Sequence, residues 1–482
     1  MHFFVIFRVL GILLMLFSLT QLPPAALAML YEDGHTMAFL SAFFITIICG
    51  LGFWYPAHNY KTELCTRDGF VVVTLFWTVL GTFGCIPFLM SQDLHLSFTD
   101  AIFESISGLS TTGATVITGL DQLPKSILYY RQQLQWLGGM GIIAIAVAIL
   151  PMLGIGGMQL FKAEFPGPVK DNKLMPRITE TAKALLFLYV ALTVLCALAY
   201  YLAGMDAFDA IGHSYATIAI GGFSTHDASI GYFQNPTIEL IAIFFMIISG
   251  INFTLHFMAL RTRSLKSYLP DTELKVYLSL LAGTSVITIL FLIVSGTYEP
   301  NEAFLKGVFG VVSISTTTGF SSADISTWPT FLAFLLFYMA IIGACAGSTG
   351  GGMKVVRIIL IVKQGFRELK RLIHPSAVIP IKLGKTRVSD RVIESVWGFF
   401  SVYVMVYMTM LLLLLATGLD ITTAFTAVGA SLNNLGPGLG EISSNYANMP
   451  TSSKWILCLG MLLGRLEVFT LLVLLTPQFW RD

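Results

Sequence analysis

Side chains able to do covalent chemistry are present in this 482-residue chain but never in a working arrangement. The eight histidines form no HExxH pair, the six cysteines (Cys49, Cys65, Cys85, Cys196, Cys345, Cys458) show no CxxC or CxxH spacing, and neither a GxSxG elbow nor paired catalytic carboxylates occur. What recurs is a short polar segment of Ser, Thr, Asn and Gly, of which Ser110-Thr111-Thr112-Gly113 is one example. Such residues suit a chemistry of the backbone. Glycine lets a peptide turn its carbonyl at positive φ and leaves no side chain in the way. A ring of carbonyl oxygens so turned can replace the water around a cation.

The segment occurs four times. Read back thirteen residues from Gly113, Asp100 to Gly113 is DAIFESISGLSTTG; Asp209 to Gly222, DAIGHSYATIAIGG, opens identically at the same distance. Lys306 to Gly319, KGVFGVVSISTTTG, repeats the Ser/Thr-rich ending, and Thr423 to Gly436, TAFTAVGASLNNLG, is the most divergent copy. In all four the second residue is small (Ala101, Ala210, Gly307, Ala424), as is the sixth before the last glycine (Ser107, Ala216, Ser313, Ala430). Small-residue helix packing of the GxxxG kind accounts for neither the Asp-Ala-Ile openings nor the equal offsets. Each copy is too short to cross a bilayer and lies between long apolar runs, so the unit reads as helix, re-entrant half-helix, helix. Irregular chain at membrane depth survives only buried in protein or lining water. Four such half-helices around one axis would aim their negative C-terminal ends and their carbonyls at a common line.

The elements that must position these segments are set by the solvent. With 55% hydrophobic and 11% charged residues and a mean hydropathy of +0.78, the chain reads as an all-α polytopic membrane protein. Apolar runs at 3–30, 36–56, 70–90, 128–153, 182–203, 237–260, 274–296, 331–362, 395–417 and 455–476 suggest ten spans, with both termini on one side. The first run, despite a signal-like Ala26-Leu27-Ala28, is taken as a retained span bent at Pro23-Pro24. Connections 57–69, 154–181, 261–275 and 354–391 hold 2, 4, 4 and 10 of the 28 basic residues; with Arg8, Lys183 and Arg481 that side carries 23 and is cytoplasmic. The opposite side holds 4 basic and 15 acidic residues, a net −11 that gathers cations.

The run 331–362 is too long to be one straight span, at about 48 Å for 1.5 Å per residue. Its break falls at Gly343 to Gly352, where Gly343, Gly347, Gly350, Gly351 and Gly352 accompany Ser348 and Thr349. An unwound stretch there fits a movable gate across the conduction path, with glycine supplying the hinge. A phosphate-binding loop is excluded, because Gly352 is followed by Met353-Lys354-Val355 instead of Lys-Ser/Thr and no strand precedes it. Arg465 lies eleven residues past Lys454, about 16 Å into its run. A buried cation at that depth is by default functional, and it is expected in the cavity beneath the filter, beside the glycine-rich loop. Glu467 is expected off to one side of it. Glu104 and His213, four residues after Asp100 and Asp209, read as packing contacts, and Gly138, Gly139 and Gly141 as close helix packing.

SGLSTTGAT, ATIAIGGFST, SISTTTGFSS and ASLNNLGPGLG at these spacings, with GSTGGGMK and GRLE, resemble the Trk/Ktr/HKT superfamily of potassium transporters, in its bacterial TrkH/TrkG branch, over essentially the whole chain. The resemblance implies four M1-P-M2, K⁺-channel-like repeats around one pore after an N-terminal helix pair: units 1–66, 67–165, 166–265, 266–385 and 386–482. It implies a homodimer in the bacterial inner membrane that passes K⁺ and Rb⁺ inward, with no organic cofactor. Carried over by position, the filter is Thr111-Thr112-Gly113, Ile220-Gly221-Gly222, Thr317-Thr318-Gly319 and Asn434-Leu435-Gly436. None of these is the Thr-Val-Gly-Tyr-Gly of K⁺ channels, so weaker discrimination against Na⁺ is expected; in the family Gly at the position of Gly113 goes with K⁺. The basic connection 354–391 suits anionic lipid, and the family adds docking of a TrkA-type cytosolic ring that binds nucleotide. The alternative is a secondary transporter coupling K⁺ to H⁺ or Na⁺, but beyond Arg465 and Glu467 the spans offer little for a proton relay, and the units run in one direction instead of inverted. Nothing suggests a nucleic-acid partner.

Overall fold

The computed structural model describes residues 2–60, 66–148, 178–384 and 386–481. Most of the basic connection 154–181, the unit boundary at 165–166 and Cys65 lie outside them. In chain order the helices are α1 (Phe3–Leu19), α2 (Leu22–Leu30), α3 (Thr36–Ala57), α4 (Thr66–Phe83), α5 (Ile86–Met90), α6 (Phe98–Leu109), α7 (Lys125–Ala148), α8 (Ile178–Leu202), α9 (Ala207–Ala219) and α10 (Pro236–Ser249). They continue as α11 (Phe253–Thr262), α12 (Thr272–Val294), α13 (Pro300–Ser315), α14 (Thr330–Ile342), α15 (Val355–Ile373), α16 (Asp390–Leu415), α17 (Ile421–Leu432), α18 (Thr451–Arg465), α19 (Phe469–Leu474) and α20 (Pro477–Trp480). A two-residue hairpin, β1 (Lys382–Leu383) against β2 (Thr386–Arg387), lies between α15 and α16.

Six stretches among the described residues are long and apolar enough to cross a membrane: Phe3–Leu30, Thr36–Ala57, Arg67–Met90, Lys183–Leu202, Thr272–Val294 and Asp390–Leu415. The other four of the ten expected runs differ, each for a local reason. In α7 the residues Tyr130, Arg131, Gln132, Gln133, Leu134 and Gln135 are all buried, so this helix is polar because protein, not lipid, surrounds it. The run 237–260 is bent by 90° between α10 and α11, where Asn252 caps α11 by accepting the Thr254 N–H (2.8 Å). The run 331–362 stops at Ile342, where Gly343 turns to φ 75°. The run 455–476 stops at Arg465, and Glu467 and Val468 take φ values of 52° and 59° before α19 begins. Glu467 is therefore set off by unwound backbone, not by a helical step.

The first run is interrupted at Thr20–Gln21, ahead of the expected site. Pro23 and Pro24 sit in the first turn of α2, where proline needs no N–H and fits the helix.

The four repeated segments form α6, α9, α13 and α17, of 12, 13, 16 and 12 residues, which is about 18–24 Å at 1.5 Å per residue and short of the ~30 Å hydrocarbon layer. Their starts explain the acidic openings. Ser97 accepts the Asp100 N–H (3.2 Å), Asp206 accepts that of Asp209 (2.7 Å), and Asp420 accepts those of Thr422 and Thr423 (2.9 and 3.0 Å). Helix α13 opens with Pro300 instead. Carboxylates in these first turns also favour the positive end of the helix dipole.

Two of the four are fixed by a buried ion pair. Glu104 on α6 is fully buried and meets Arg131 of α7 at 2.8 Å. The guanidinium also donates to the Ser224 carbonyl (3.0 Å) and Thr115 Oγ1 (3.0 Å), while Glu104 accepts the Val116 N–H (2.9 Å). The chain leaving α6 is thus stapled to the chain leaving α9. His213, at the matching position of α9, bonds the Ser224 hydroxyl (2.9 Å) and the Asp209 carbonyl (2.9 Å). The glycines of α7 pack as expected: a Cβ on Gly138 would lie 1.8 Å from the Leu109 carbonyl oxygen. Substituting Glu104→Ala leaves the Arg131 charge buried without its partner and should destabilise the fold by about 3–5 kcal/mol, read as a lowered thermal midpoint of the detergent-solubilised protein.

Candidate functional site

All four short helices end alike. The residue after the helix, or one beyond, takes the left-handed conformation although it is not glycine: Thr111 (φ 57°), Ile220 (55°), Thr317 (67°) and Asn434 (52°). The N–H of the next residue then reaches back to the carbonyl five positions earlier, Thr112 to Ser107 (2.9 Å), Gly221 to Ala216 (2.9 Å), Thr318 to Ser313 (2.8 Å) and Leu435 to Ala430 (2.8 Å). This is the six-to-one bond of a Schellman cap, and its acceptors are the four small residues noted six before each glycine. Three of the four left-handed residues are β-branched, a conformation that costs about 1–3 kcal/mol each and persists only where the surroundings impose it.

One residue further on, Gly113, Gly222, Gly319 and Gly436 also have positive φ, between 78° and 90°. Their environment shows how the repeats meet. A Cβ on Gly113 would fall 2.0 Å from the Gly221 carbonyl oxygen, on Gly222 2.0 Å from that of Thr318, on Gly319 2.2 Å from that of Leu435, and on Gly436 2.6 Å from that of Thr112. Each glycine abuts the carbonyl just before the next repeat's glycine, and the fourth returns to the first. The predicted residues are therefore brought together as one closed ring.

Around the ring, side chains brace the loops. Gln135 of α7 donates to the Gly221 carbonyl (2.6 Å) and accepts the Phe223 N–H (3.0 Å). Tyr446 donates to the Gly436 carbonyl (2.6 Å). Asn434 Nδ2 donates to Thr112 Oγ1 (2.9 Å), joining the fourth repeat to the first. In repeats one and three the same hydroxyl pair recurs, Ser110 with Thr112 and Thr316 with Thr318, both at 2.7 Å.

On the helix-end side of the ring lies the glycine-rich loop between α14 and α15. Its stems pair, with Met353 N–H donating to Ile341 O (3.0 Å) and Val355 N–H to Ala344 O (3.1 Å). Gly343 and Gly352 make that pairing sterically possible: a Cβ on Gly343 would lie 2.3 Å from Gly351 O, and on Gly352 2.6 Å from Gly343 Cα. Gly347 (φ 72°) packs on Asn252, and Ser348 closes a turn onto Cys345 O (2.6 Å).

The tip and Arg465 then reach the end of each short helix once. Arg465 Nη1 donates to Thr111 Oγ1 (3.2 Å), Thr349 Oγ1 to Ile218 O (2.9 Å), the Gly351 N–H to Thr317 Oγ1 (2.7 Å) and the Gly352 N–H to Asn433 O (3.2 Å). Cβ atoms on Gly350 and Gly351 would lie 2.8 Å from Thr316 O and 1.9 Å from Asn433 O, so only glycine allows this approach. Arg465 also donates to Thr349 O (3.3 Å) and Gly138 O (2.6 Å) and lies over the Trp77 ring. Lys354 donates to Gly350 O, and Arg357 pairs with Glu467.

The whole chain has close relatives. The family model described as "TrkH: Cation transport protein" matches residues 35–481. The chain is 58% identical over 476 residues to the Trk system potassium uptake protein TrkH of Halomonas elongata, covering 99% of each, and 56% identical over 487 residues to that of Escherichia coli, covering 100% of each. This chain belongs to the TrkH family. The crystal structure of the potassium transporter TrkH from Vibrio parahaemolyticus superposes with a TM-score of 0.91 at 52% identity, over 100% of both chains. As a TrkH-family protein it is a polytopic helical membrane protein, and the relatives' names are those of transporters, not enzymes.

Within this TrkH-family site, sequence reasoning missed Gln135, Tyr446 and Asn433. Gln135 did leave a signal, the polar run Arg131-Gln132-Gln133 and Gln135 in an otherwise apolar span; Tyr446 left none, because its loop is unremarkable in composition. On the far side of the ring, His226 bridges Asp121 (2.5 Å) and Asp209 (3.1 Å), stacks on Tyr232 at 3.5 Å and faces His213 at 6.4 Å. Burial pulls its pKa down, but the hydrogen bonds and charges of Asp209 and Asp121 outweigh that, and the imidazole is raised above its ordinary 6.5. The bridge is thus fully present below the ordinary value and is lost as pH rises through the raised folded one. The thermal midpoint should therefore fall as pH rises from below 6.5 through the raised folded value, and His226→Asn should flatten that slope.

Proposed function

We propose that the chain carries K⁺, and Rb⁺ as its congener, into a bacterial cell across the inner membrane, through the ring formed by Thr111-Thr112-Gly113, Ile220-Gly221-Gly222, Thr317-Thr318-Gly319 and Asn434-Leu435-Gly436. The observation that carries this reading is the closed cycle of glycine-to-carbonyl contacts. Peptide oxygens at such a corner are fixed by neighbouring backbone, so they hold a dehydrated cation without reorganising. The names of the relatives supply the ion. The units 1–66, 67–165, 166–265, 266–385 and 386–482 are the proposed modules, with both termini cytoplasmic.

The loop from Gly343 to Gly352, with Arg465, acts as the gate. Its support is the set of one hydrogen bond to the end of each short helix, together with a guanidinium in the path of a cation. A second copy of the chain, a TrkA-type nucleotide-binding ring on the basic connections and anionic lipid are the proposed partners. Such a regulator would open the path by breaking the three loop contacts and the Arg465 bond together.

Reconstituted in liposomes, Arg465→Ala should raise basal ⁸⁶Rb⁺ flux severalfold, and unchanged flux removes Arg465 and the loop from gating. Gly113→Ser places a Cβ 2.0 Å from the Gly221 carbonyl oxygen, so it should open the ring and lower the K⁺/Na⁺ flux ratio. At a fixed voltage, flux should not respond to a pH gradient; a response would favour ion-coupled transport.

A further inference from the structure

We infer that Glu273 is the positioning residue that sets the gate loop's resting place, a deeper reading of the same site that rests on residues 343–352 being the gate. Glu273 stands in the first turn of α12, after the Asp271 cap that accepts the Leu274 N–H (2.8 Å). Its side chain is turned inward and only 8% of the residue is exposed. One oxygen, Oε1, accepts two backbone N–H groups, Ala346 at 2.7 Å and Val356 at 3.1 Å. These residues lie on the two stems of the loop, one before Gly347 and one after Lys354.

The second of these bonds solves a local problem. Helix α15 begins at Val355 with Lys354 as its N-cap, and Lys354, at φ 78°, makes no side-chain capping bond. The first N–H groups of a helix have no partner within it, and a carboxylate is the side chain best suited to the positive end of the dipole. Glu273 supplies that cap from a different helix. The point at which α15 starts, and hence how much chain is left for the loop, is set by a residue 83 positions upstream. Other bonds hold the first stem to the bend between α10 and α11, with Cys345 N–H donating to Gly250 O and Phe253 N–H to Gly347 O, both at 3.0 Å. Glu273 ties the second stem to that fixed point.

The start of α12 also lies against the basic connection. A Cβ on Gly384, at the turn between β1 and β2, would lie 3.2 Å from Thr272 Oγ1, so the hairpin rests on the residue preceding Glu273.

The test uses the full chain in liposomes without any partner, measuring ⁸⁶Rb⁺ flux and amide hydrogen exchange across residues 343–356. Glu273→Ala removes both charge-assisted bonds and should raise basal flux about tenfold or more, with faster exchange at Ala346 and Val356 and no change in α6, α9, α13 or α17. Glu273→Gln keeps the Oε1 acceptor and should stay within about threefold of the parent. Should Glu273→Ala fail to accumulate, Glu273→Asp, one methylene short of both amides, replaces it in the comparison. Parental flux and exchange in the shortened variant, or equal effects of shortening and of Gln, overturn the proposal. Arg465→Ala separates the two readings: if it raises flux while Glu273→Ala does not, only the clamp fails, and if it also leaves flux unchanged, the gate itself fails.

Discussion

Four helices stop inside this protein with their C-termini facing one another. The last carbonyls of each have no partner within the helix, and each end carries about half a negative charge. Bringing four together is electrostatically unfavourable unless something positive or hydrogen-bond-donating sits between them. Much of the remaining structure meets that requirement. The Schellman bonds onto Ser107, Ala216, Ser313 and Ala430 satisfy one carbonyl apiece. The Gly352 amide and the Thr349 hydroxyl satisfy two more, at Asn433 and Ile218, while the Gly351 amide and the guanidinium of Arg465 donate to the Thr317 and Thr111 hydroxyls at the helix ends. Under the proposed function, a dehydrated alkali ion competes for that position with the protein's own donors.

The same geometry explains the composition of the loop. It must approach backbone from three directions, and at Gly350, Gly351 and Gly352 even a methyl group would collide with main-chain atoms. Glycine here is a packing requirement as much as a hinge. The left-handed Thr111 and Thr317 also present their hydroxyls to donors, Arg465 for the one and the Gly351 amide of the loop for the other.

The sequence made the architecture readable wherever a pattern repeated. The equal thirteen-residue offsets located all four half-helices and every ring glycine, because each repeat solves the same steric problem with the same residue. The glycine-rich break and Arg465 were readable because both violate what lipid tolerates. What escaped was set by tertiary contact. Counting apolar runs gave ten spans, yet α7 is sheathed in protein and so carries Arg131, Gln132, Gln133 and Gln135, while three other runs are bent or unwound. Nothing in the sequence singles out Glu273, because its contacts are with a loop more than seventy residues away. Gln135 and Tyr446 bind backbone carbonyls, and no spacing rule reports a partner that has no side-chain identity.

The ring closes within a single polypeptide. In an assembly of identical subunits any change would be imposed on every quadrant at once, whereas here Ile220 can stand where two other quadrants have Thr, and Asn434 where neither does. Drift is therefore free to act on one quarter of the aperture while three quarters preserve its dimensions. An ion passing through the ring, as proposed, would meet an unsymmetrical field that sequence change can adjust one small step at a time.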